Sequence, residues 1–206
     1  MADAALTPHG TGHQTTTGLP NTKLAMWIFL SSECLLFGAL ITTYVLYRGA
    51  SVKGPYPATV FDIGYTSVSS FVLLASSLTM VLALSAAQQR DMVRMRLWLL
   101  ATAMLGMGFV GGQVYEFTTF YHEGLSLSTN LFGSTFFVLT GFHGVHVTVG
   151  ILMLLSLVGM SSAGRLPDDP SFPVEMVGLY WHFVDIVWIV IFVVVYLIPT
   201  GKVLSR

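Results

Sequence analysis

Long apolar stretches alternate with short polar connectors along most of the chain. Five apolar stretches cover about residues 24–47, 65–87, 97–120, 131–160 and 174–198. Each is long enough to cross a bilayer core, which needs about 20 helical residues. Backbone that faces lipid must satisfy its own N–H and C=O groups, so each stretch predicts a helix. The pattern therefore predicts an all-α fold, a polytopic membrane protein built as a bundle of five transmembrane helices.

The polar positions set the limits of the domains. Residues 1–22 are polar and rich in Thr, Gly and His, and they predict a flexible N-terminal tail. This tail lacks a basic region followed by a short apolar core, so we do not expect a signal peptide. The transmembrane domain is expected over residues 23–200. Its fourth helix should be tilted or extend beyond the bilayer, because that stretch is the longest.

The composition supports a membrane protein and excludes one class of partner. Hydrophobic residues make up 54% of the chain and charged residues only 9%, whereas soluble domains have about 25% charged residues. The net charge of −1 provides no basic surface for a nucleic acid, so no such partner is expected. The single cysteine, Cys34, cannot form an internal disulfide and is expected to pack as a small apolar side chain.

The basic residues indicate how the helices cross the membrane, because Lys and Arg accumulate on the cytoplasmic side. With the N-terminus inside, the cytoplasmic basic residues are Lys23, Arg90, Arg94, Arg96 and Arg165. The external basic residues are then Arg48, Lys53, Lys202 and Arg206. The bias is small, but the three arginines of the short second connector favour a cytoplasmic N-terminus and an external C-terminus.

Small residues in two stretches indicate close helix packing. Gly108 and Gly112 form a small-xxx-small pair in the third stretch. Gly141 and Gly144 reduce the side-chain volume on one side of the fourth. Small residues let helix backbones approach each other in lipid. We predict helix packing at these four glycines and assign them no catalytic role.

Strongly polar residues lie inside four of the apolar stretches, where an unpartnered ionisable group costs about 3 kcal/mol or more. They are Glu33, Gln113, Glu116, His143, His146, His182 and Asp185. All except Glu33 form pairs with i,i+3 spacing, and the two members of such a pair share one helix face. The second stretch contains only Ser and Thr as polar residues, and these can bond to their own backbone.

Three interpretations of these residues compete. His182 could ligate a haem together with His143 or His146, but three interior histidines are few for a metal site. A proton or ion path is typical of ionisable residues in a membrane, although transporters usually show internal repeats that this sequence lacks. In the third interpretation the groups hydrogen-bond one another and fix helix register, at about 0.6 kcal/mol per bond. The residues alone favour the third.

Four motifs carry a resemblance to a known family. They are FLSSECLLF at residues 29–37, QVYEF at 113–117, TGFHGVHVTVG at 140–150 and YWHFVDIVWIVIFVVVY at 180–196. In this order they resemble subunit III of the haem–copper respiratory oxidases, the cytochrome c oxidase subunit 3 family. The resemblance covers about residues 23–198. The number of spans resembles the short, five-helix bacterial form of that subunit.

The resemblance implies an accessory subunit without a catalytic residue, haem, copper or other metal of its own. Haem and copper are expected in partner subunits I and II, and the chain is expected to support subunit I, its proton uptake and its stability during turnover. The complex as a whole is expected to reduce O2 to water and to pump protons. Glu33 matches the family's carbodiimide-reactive glutamate, and the histidine and aspartate motifs match at the residues named above.

The resemblance leaves several expectations open. We expect the seven polar residues to form an intramembrane network or to bind lipid, with a bound phospholipid as a candidate ligand. Longer relatives hold phospholipid in a cleft walled on one side by two additional helices, so in the five-helix form half of that cleft is expected to come from another subunit or to stay open to lipid. A small subunit IV and a respiratory supercomplex are further candidate partners, and the bacterial cell membrane is the expected location. Cytochrome c is the expected electron donor, with a quinol oxidase and an autonomous proton channel as alternatives.

Overall fold

The computed structural model describes residues 20–48, 63–122 and 124–198. Its helices are α1 (Asn21–Tyr47), α2 (Ile63–Gln88), α3 (Met92–His122), α4 (Leu131–Ser162) and α5 (Ser171–Phe192), which continues into a π-helix at Val193–Leu197. All five are long and apolar enough to cross a membrane. The prediction of an all-α protein with five transmembrane helices is therefore confirmed. Most of the expected tail, residues 1–19, lies outside the described residues.

Four of the five helices begin earlier than the apolar pattern predicts, and in α3 and α5 the added residues include charged side chains with partners. Helix α3 begins at Met92, and the Arg96 guanidinium in its second turn donates from Nε to the Met92 carbonyl at 3.0 Å. Helix α5 begins at Ser171, and its Glu175 forms an ion pair with Lys23 of α1. Hydropathy thus locates the lipid-spanning part of a helix, whereas paired charges extend the helix beyond it.

The short turn between α2 and α3 depends on two residues. Arg90 has a positive φ of 57°, and the Asp91 N–H bonds back to the Ala86 carbonyl at 3.0 Å, as in a Schellman motif. The Asp91 carboxylate then accepts from the Arg94 N–H at 3.0 Å, which caps the start of α3. Helices α2 and α3 are therefore joined tightly and run antiparallel at one end of the bundle.

Four helices close into a ring and the fifth lies outside it. Helix α2 packs on α3, α3 on α4, α4 on α5 and α5 back on α2, whereas α1 packs on α4 and α5. In the most apolar stretch of α1 only 11% of the residues are buried, against 28–44% in the other helices. One broad face of α1 is consequently left for lipid or for another chain.

Hydrogen bonds from two tryptophans tie α5 to α2. The indole N–H groups of Trp181 and Trp188 donate at 2.9 Å to the hydroxyls of Ser76 and Ser70, respectively. The Ser70 hydroxyl also donates to the Thr66 carbonyl of its own helix. The serines of the second stretch therefore do more than bond to their own backbone, because each hydroxyl has a lone pair left to accept from α5.

Trp181 also contacts α3 and α4 at two glycines. A Cβ atom added to Gly106 would lie 2.6 Å from the Trp181 ring, and one added to Gly150 would lie 2.8 Å from it. Since the indole is fixed by its bond to Ser76, it cannot move away to make room. Trp181 thus requires glycine on both neighbouring helices.

Two of the four glycines predicted to pack lie at close approaches within the described chain. A Cβ on Gly112 would meet the Tyr65 hydroxyl at 3.0 Å, and one on Gly144 would meet the Gln113 amide oxygen at 2.7 Å. Gly108 and Gly141 have nothing within 4 Å of such a Cβ and therefore lie at no close approach within the described chain. Gly108 is two residues, or about 200° of helix rotation, from the packed Gly106, so it points away from the bundle.

We expect Gly150→Ala to destabilise the bundle and Gly108→Ala to leave it unchanged. The added methyl at position 150 overlaps the fixed Trp181 ring, and overpacking of this kind costs about 1–3 kcal/mol. Thermal unfolding in a mild detergent, followed by near-ultraviolet circular dichroism, compares the two variants. Equal midpoints for both variants would show that Trp181 is free to move.

Candidate functional site

Glu33 and His146 form a pair that joins α1 to α4. Glu33 Oε2 lies 3.1 Å from His146 Nε2, and both side chains are 15% exposed. His146 Nδ1 lies 2.7 Å from the Phe142 carbonyl of its own helix. Because a carbonyl can only accept, Nδ1 carries the proton of that bond. The Glu33–His146 contact must then share one further proton, held either by the carboxyl group or by Nε2.

Aromatic side chains enclose the pair on its inner side. The Phe37 ring meets the His146 ring edge-on, with centroids 5.0 Å apart. The Tyr180 hydroxyl of α5 donates to the His146 carbonyl at 3.0 Å, and the Phe29 ring stacks on Tyr180. The pair is therefore fixed by α1, α4 and α5 together but stays partly accessible from the outside of the bundle.

Glu116 has partners on α2 and on the π-helix that ends α5. Its Oε1 accepts from the Thr66 hydroxyl of α2 at 2.8 Å and from the Tyr196 hydroxyl of the π-helix at 3.3 Å. Gln113, one turn earlier on α3, donates to the Thr140 carbonyl of α4 at 2.7 Å. The two members of this i,i+3 pair consequently bind different helices.

The π-helix that carries Tyr196 has a consequence for α1. Ile198 N–H bonds to the Val193 carbonyl at 3.0 Å, five residues back, so it does not use the Val194 carbonyl. The Val194 carbonyl accepts instead from Arg48 Nη1 at 3.3 Å. The charged end of α1 is thereby anchored to the end of α5.

His182 and Asp185 approach α2, whereas His143 lies one helix turn from His146 and meets the same Phe37 ring. His182 Nδ1 is 2.7 Å from the Ser77 hydroxyl of α2, and Asp185 lies beside the same serine. Neither oxygen of Asp185 and neither ring nitrogen of His143 makes a hydrogen bond to a described residue. The His143 ring stacks on Trp188, with centroids 4.8 Å apart.

The seven predicted polar residues therefore occupy several separate places, and the sequence missed their partners. Thr66, Ser77, Tyr180 and Tyr196 supply hydroxyls to them, yet in the sequence these are ordinary residues of apolar stretches. Two of these residues, Tyr180 and Tyr196, lie within the motif at residues 180–196. Their place in that motif is the sequence signal that could have identified them. Among the described residues, no group of three or more His, Cys, Asp or Glu side chains could hold a metal ion.

Comparison with known proteins gives one consistent family. A family model described as cytochrome c oxidase subunit III matches residues 3–200. The chain is 38% identical over 189 residues to quinol oxidase subunit 3 of Bacillus spizizenii, which covers 92% of each protein. It is 40% identical over 180 residues to cytochrome c oxidase subunit 3 of Bacillus sp. (strain PS3), with 86% of each covered. Cytochrome c oxidase subunit 3 of Synechocystis sp. is 40% identical over 83% of this chain and 73% of that protein.

Replacing Glu116 tests whether its hydrogen bonds hold α2, α3 and α5 together. Glu116→Gln keeps an oxygen that accepts from Thr66 and Tyr196, so we expect little change in stability. Glu116→Leu removes the shared acceptor of two hydroxyls and should destabilise the bundle by about 0.5–1.5 kcal/mol for each hydrogen bond lost.

Thermal unfolding in detergent measures the difference, with the exposed Thr118→Val on the same helix as the control. If Glu116→Gln lost as much stability as Glu116→Leu, the charge rather than the hydrogen bonds would be what stabilises the bundle.

Proposed function

The chain belongs to the cytochrome c oxidase subunit III family, and we propose that it supports the proton uptake and the stability of a bacterial cytochrome c oxidase. As subunit III of a haem–copper oxidase it spans the membrane. In this proposal haem and copper reside in subunits I and II, O2 is reduced there to water with proton pumping, and this chain contributes no redox centre.

The Glu33–His146 pair is the observation that supports the proposal best. The two side chains meet at 3.1 Å, and Glu33 belongs to a membrane helix that has most of its surface outside the bundle. A proton held there can be exchanged with water or with a neighbouring subunit without breaking the ring of α2–α5. Placing the open face of α1 against subunit I would put this proton store beside the proton entry of the catalytic subunit.

The other predicted polar residues have a supporting role in this proposal. Gln113, Glu116, His182 and Asp185 contact or approach residues of neighbouring helices, and His143 packs on Trp188. These contacts fix the helices that carry the Glu33–His146 pair. A phospholipid at the open face of α1 would complete the surroundings of the pair.

The electron donor, the other partners and the orientation are part of the same proposal. Relatives of both donor types match, named cytochrome c oxidase and quinol oxidase, and we assign cytochrome c to this chain, with quinol as the alternative. Subunits I and II, a small subunit IV and a supercomplex are the proposed partners in the bacterial cell membrane. A cytoplasmic N-terminus agrees with the position of Lys23 at the same end of the bundle as Glu175 and the α2–α3 turn.

Purification through this chain from gently solubilised membranes tests the assembly. We expect the eluate to show a reduced-minus-oxidised haem spectrum, and the chain stripped of its partners to show none. Haem retained on the stripped chain would overturn the proposal. The chain alone in vesicles should also give no proton flux, since rapid flux would identify an autonomous channel.

Glu33→Gln separates proton exchange from packing at the pair. The amide can still hydrogen-bond to His146 but cannot take up a proton, so the complex should assemble with its normal haem content. We expect slower proton uptake by the oxidase and faster loss of activity during continuous turnover. Ser32→Ala is the control, because its exposed hydroxyl bonds only within α1. A native turnover lifetime and proton uptake in Glu33→Gln would assign the pair to packing alone.

A further inference from the structure

A half-buried histidine lies deep in the membrane where α2 and α5 meet. At 1.5 Å of rise per residue, His182 is about 16 Å from Ser171 at the start of α5 and about 22 Å from Leu197 at the end of the π-helix. Its partner Ser77 is similarly central in α2. Half the thickness of a bilayer core is about 15 Å. Both side chains are therefore in the hydrocarbon region, far from the headgroups.

Only one of the two ring nitrogens of His182 has a partner. Nδ1 lies 2.7 Å from the Ser77 hydroxyl, whereas Nε2 makes no hydrogen bond to a described residue and stays accessible at the outer surface. Asp185, one turn later on α5, does not take this nitrogen, because neither of its oxygens bonds to a described residue. In either tautomer Nε2 is a donor or an acceptor without a partner, in a region that contains no water.

Exposed apolar side chains surround this nitrogen on both helices. We define the α2–α5 seam by six residues: Leu74, Ser77, Val81, His182, Ile186 and Ile189. Its four apolar members lie one or two turns from Ser77 or His182 on the same helix faces, and they are 41–60% exposed. The seam extends roughly 10 Å along each helix. Its shape, an apolar strip with one polar atom, therefore suits a second helix lying along it.

We propose that the α2–α5 seam docks a transmembrane helix of another oxidase subunit, and that a hydroxyl or amide side chain of that helix hydrogen-bonds to His182 Nε2. The apolar side chains of the same helix pack along the strip. Hydrogen bonds of this kind between helices add to close packing in holding membrane helices together. The proposal rests on the membership of this chain in a multi-subunit oxidase, and it does not depend on the proposed proton role of the Glu33–His146 pair.

Hydrogen-bond complementarity distinguishes this occupant from the others. A lipid headgroup stays about 15 Å from the centre of the core, and an acyl chain carries no donor or acceptor. A second copy of this chain would bring two His182 rings together, and two such rings pair only in unlike tautomers. Since each Nδ1 faces the same serine, both rings favour the same tautomer. A hydroxyl or an amide of a different chain can donate or accept, so it fits either one.

Photo-crosslinking from the seam in native membranes identifies the occupant. The photoreactive residue p-benzoylphenylalanine replaces Ile186 in the full-length chain, and the complex is purified after irradiation and scanned for haem. We expect an adduct with another transmembrane subunit of the haem-containing complex, and a roughly threefold weaker adduct when His182→Asn is added. An adduct only with lipid, with a small membrane-soluble molecule or with a second copy of this chain would overturn the proposal. Haem without an adduct would overturn this inference alone, whereas a preparation without haem would also overturn the proposed assembly.

Two substitutions of His182 separate the outer nitrogen from the inner one. His182→Asn keeps an amide that can bond to Ser77 but has no atom at the position of Nε2, whereas His182→Gln places its amide near that position. We expect His182→Asn to speed loss of the crosslinked subunit from the purified complex roughly threefold, the factor that one average interhelical hydrogen bond supplies. His182→Gln should retain that subunit as the native chain does. Native mass spectrometry over time in mild detergent measures the loss.

Thr148→Val is the matched control, because this exposed hydroxyl near the middle of α4 already bonds to the Gly144 carbonyl of its own helix. It should leave the dissociation rate unchanged. Equal acceleration by both His182 variants would show that the ring acts through Ser77 alone and would overturn the proposal. It would also be overturned if His182→Asn changed nothing, or if Thr148→Val accelerated the loss as much.

Discussion

Trp181 is the residue on which the packing of the bundle depends, because it contacts every helix of the four-helix ring. It belongs to α5, donates its indole N–H to Ser76 of α2, and lies against Gly106 of α3 and Gly150 of α4. In lipid the hydrophobic effect does not favour helix–helix contacts over helix–lipid contacts. Close packing and interhelical hydrogen bonds must therefore hold the helices together. The indole ring of Trp181 provides the close packing, and its N–H group provides the interhelical hydrogen bond. The two glycines are the counterpart that lets this ring fit.

The same constraint explains which features could be predicted from the sequence. The thickness of the bilayer fixes the length of an apolar stretch, so the five helices could be found without any knowledge of their packing. The ends of the helices were harder to predict, because Arg96 and Glu175 bind partners that extend α3 and α5 beyond the apolar pattern. The hydropathy of a residue can be read directly from the sequence, whereas the partner of its side chain depends on how the helices pack.

The partners of the polar residues could not be predicted, for a geometric reason. Residues with i,i+3 spacing share a face, but they differ by about 60° in direction and about 4.5 Å in height. That difference sends Gln113 to α4 and Glu116 to α2 and the π-helix. It also leaves His143 on Trp188 while His146 reaches Glu33 on α1. The glycines follow the same rule, because Gly106 and Gly108 are adjacent in the sequence pattern but point in opposite directions.

The outside position of α1 connects the architecture to the proposed function. The ring of α2–α5 closes without α1, so this helix adds little to the core and is held by contacts along one side. Three of those contacts are polar: Lys23 with Glu175, Glu33 with His146, and Arg48 with the Val194 carbonyl. They are spread from one end of the helix to the other, so they fix α1 in height and rotation while its outer face stays open. The Glu33–His146 pair in the middle of such a helix is both fixed in place and partly accessible, and these are the two properties that the proposed proton exchange with a neighbouring subunit would require.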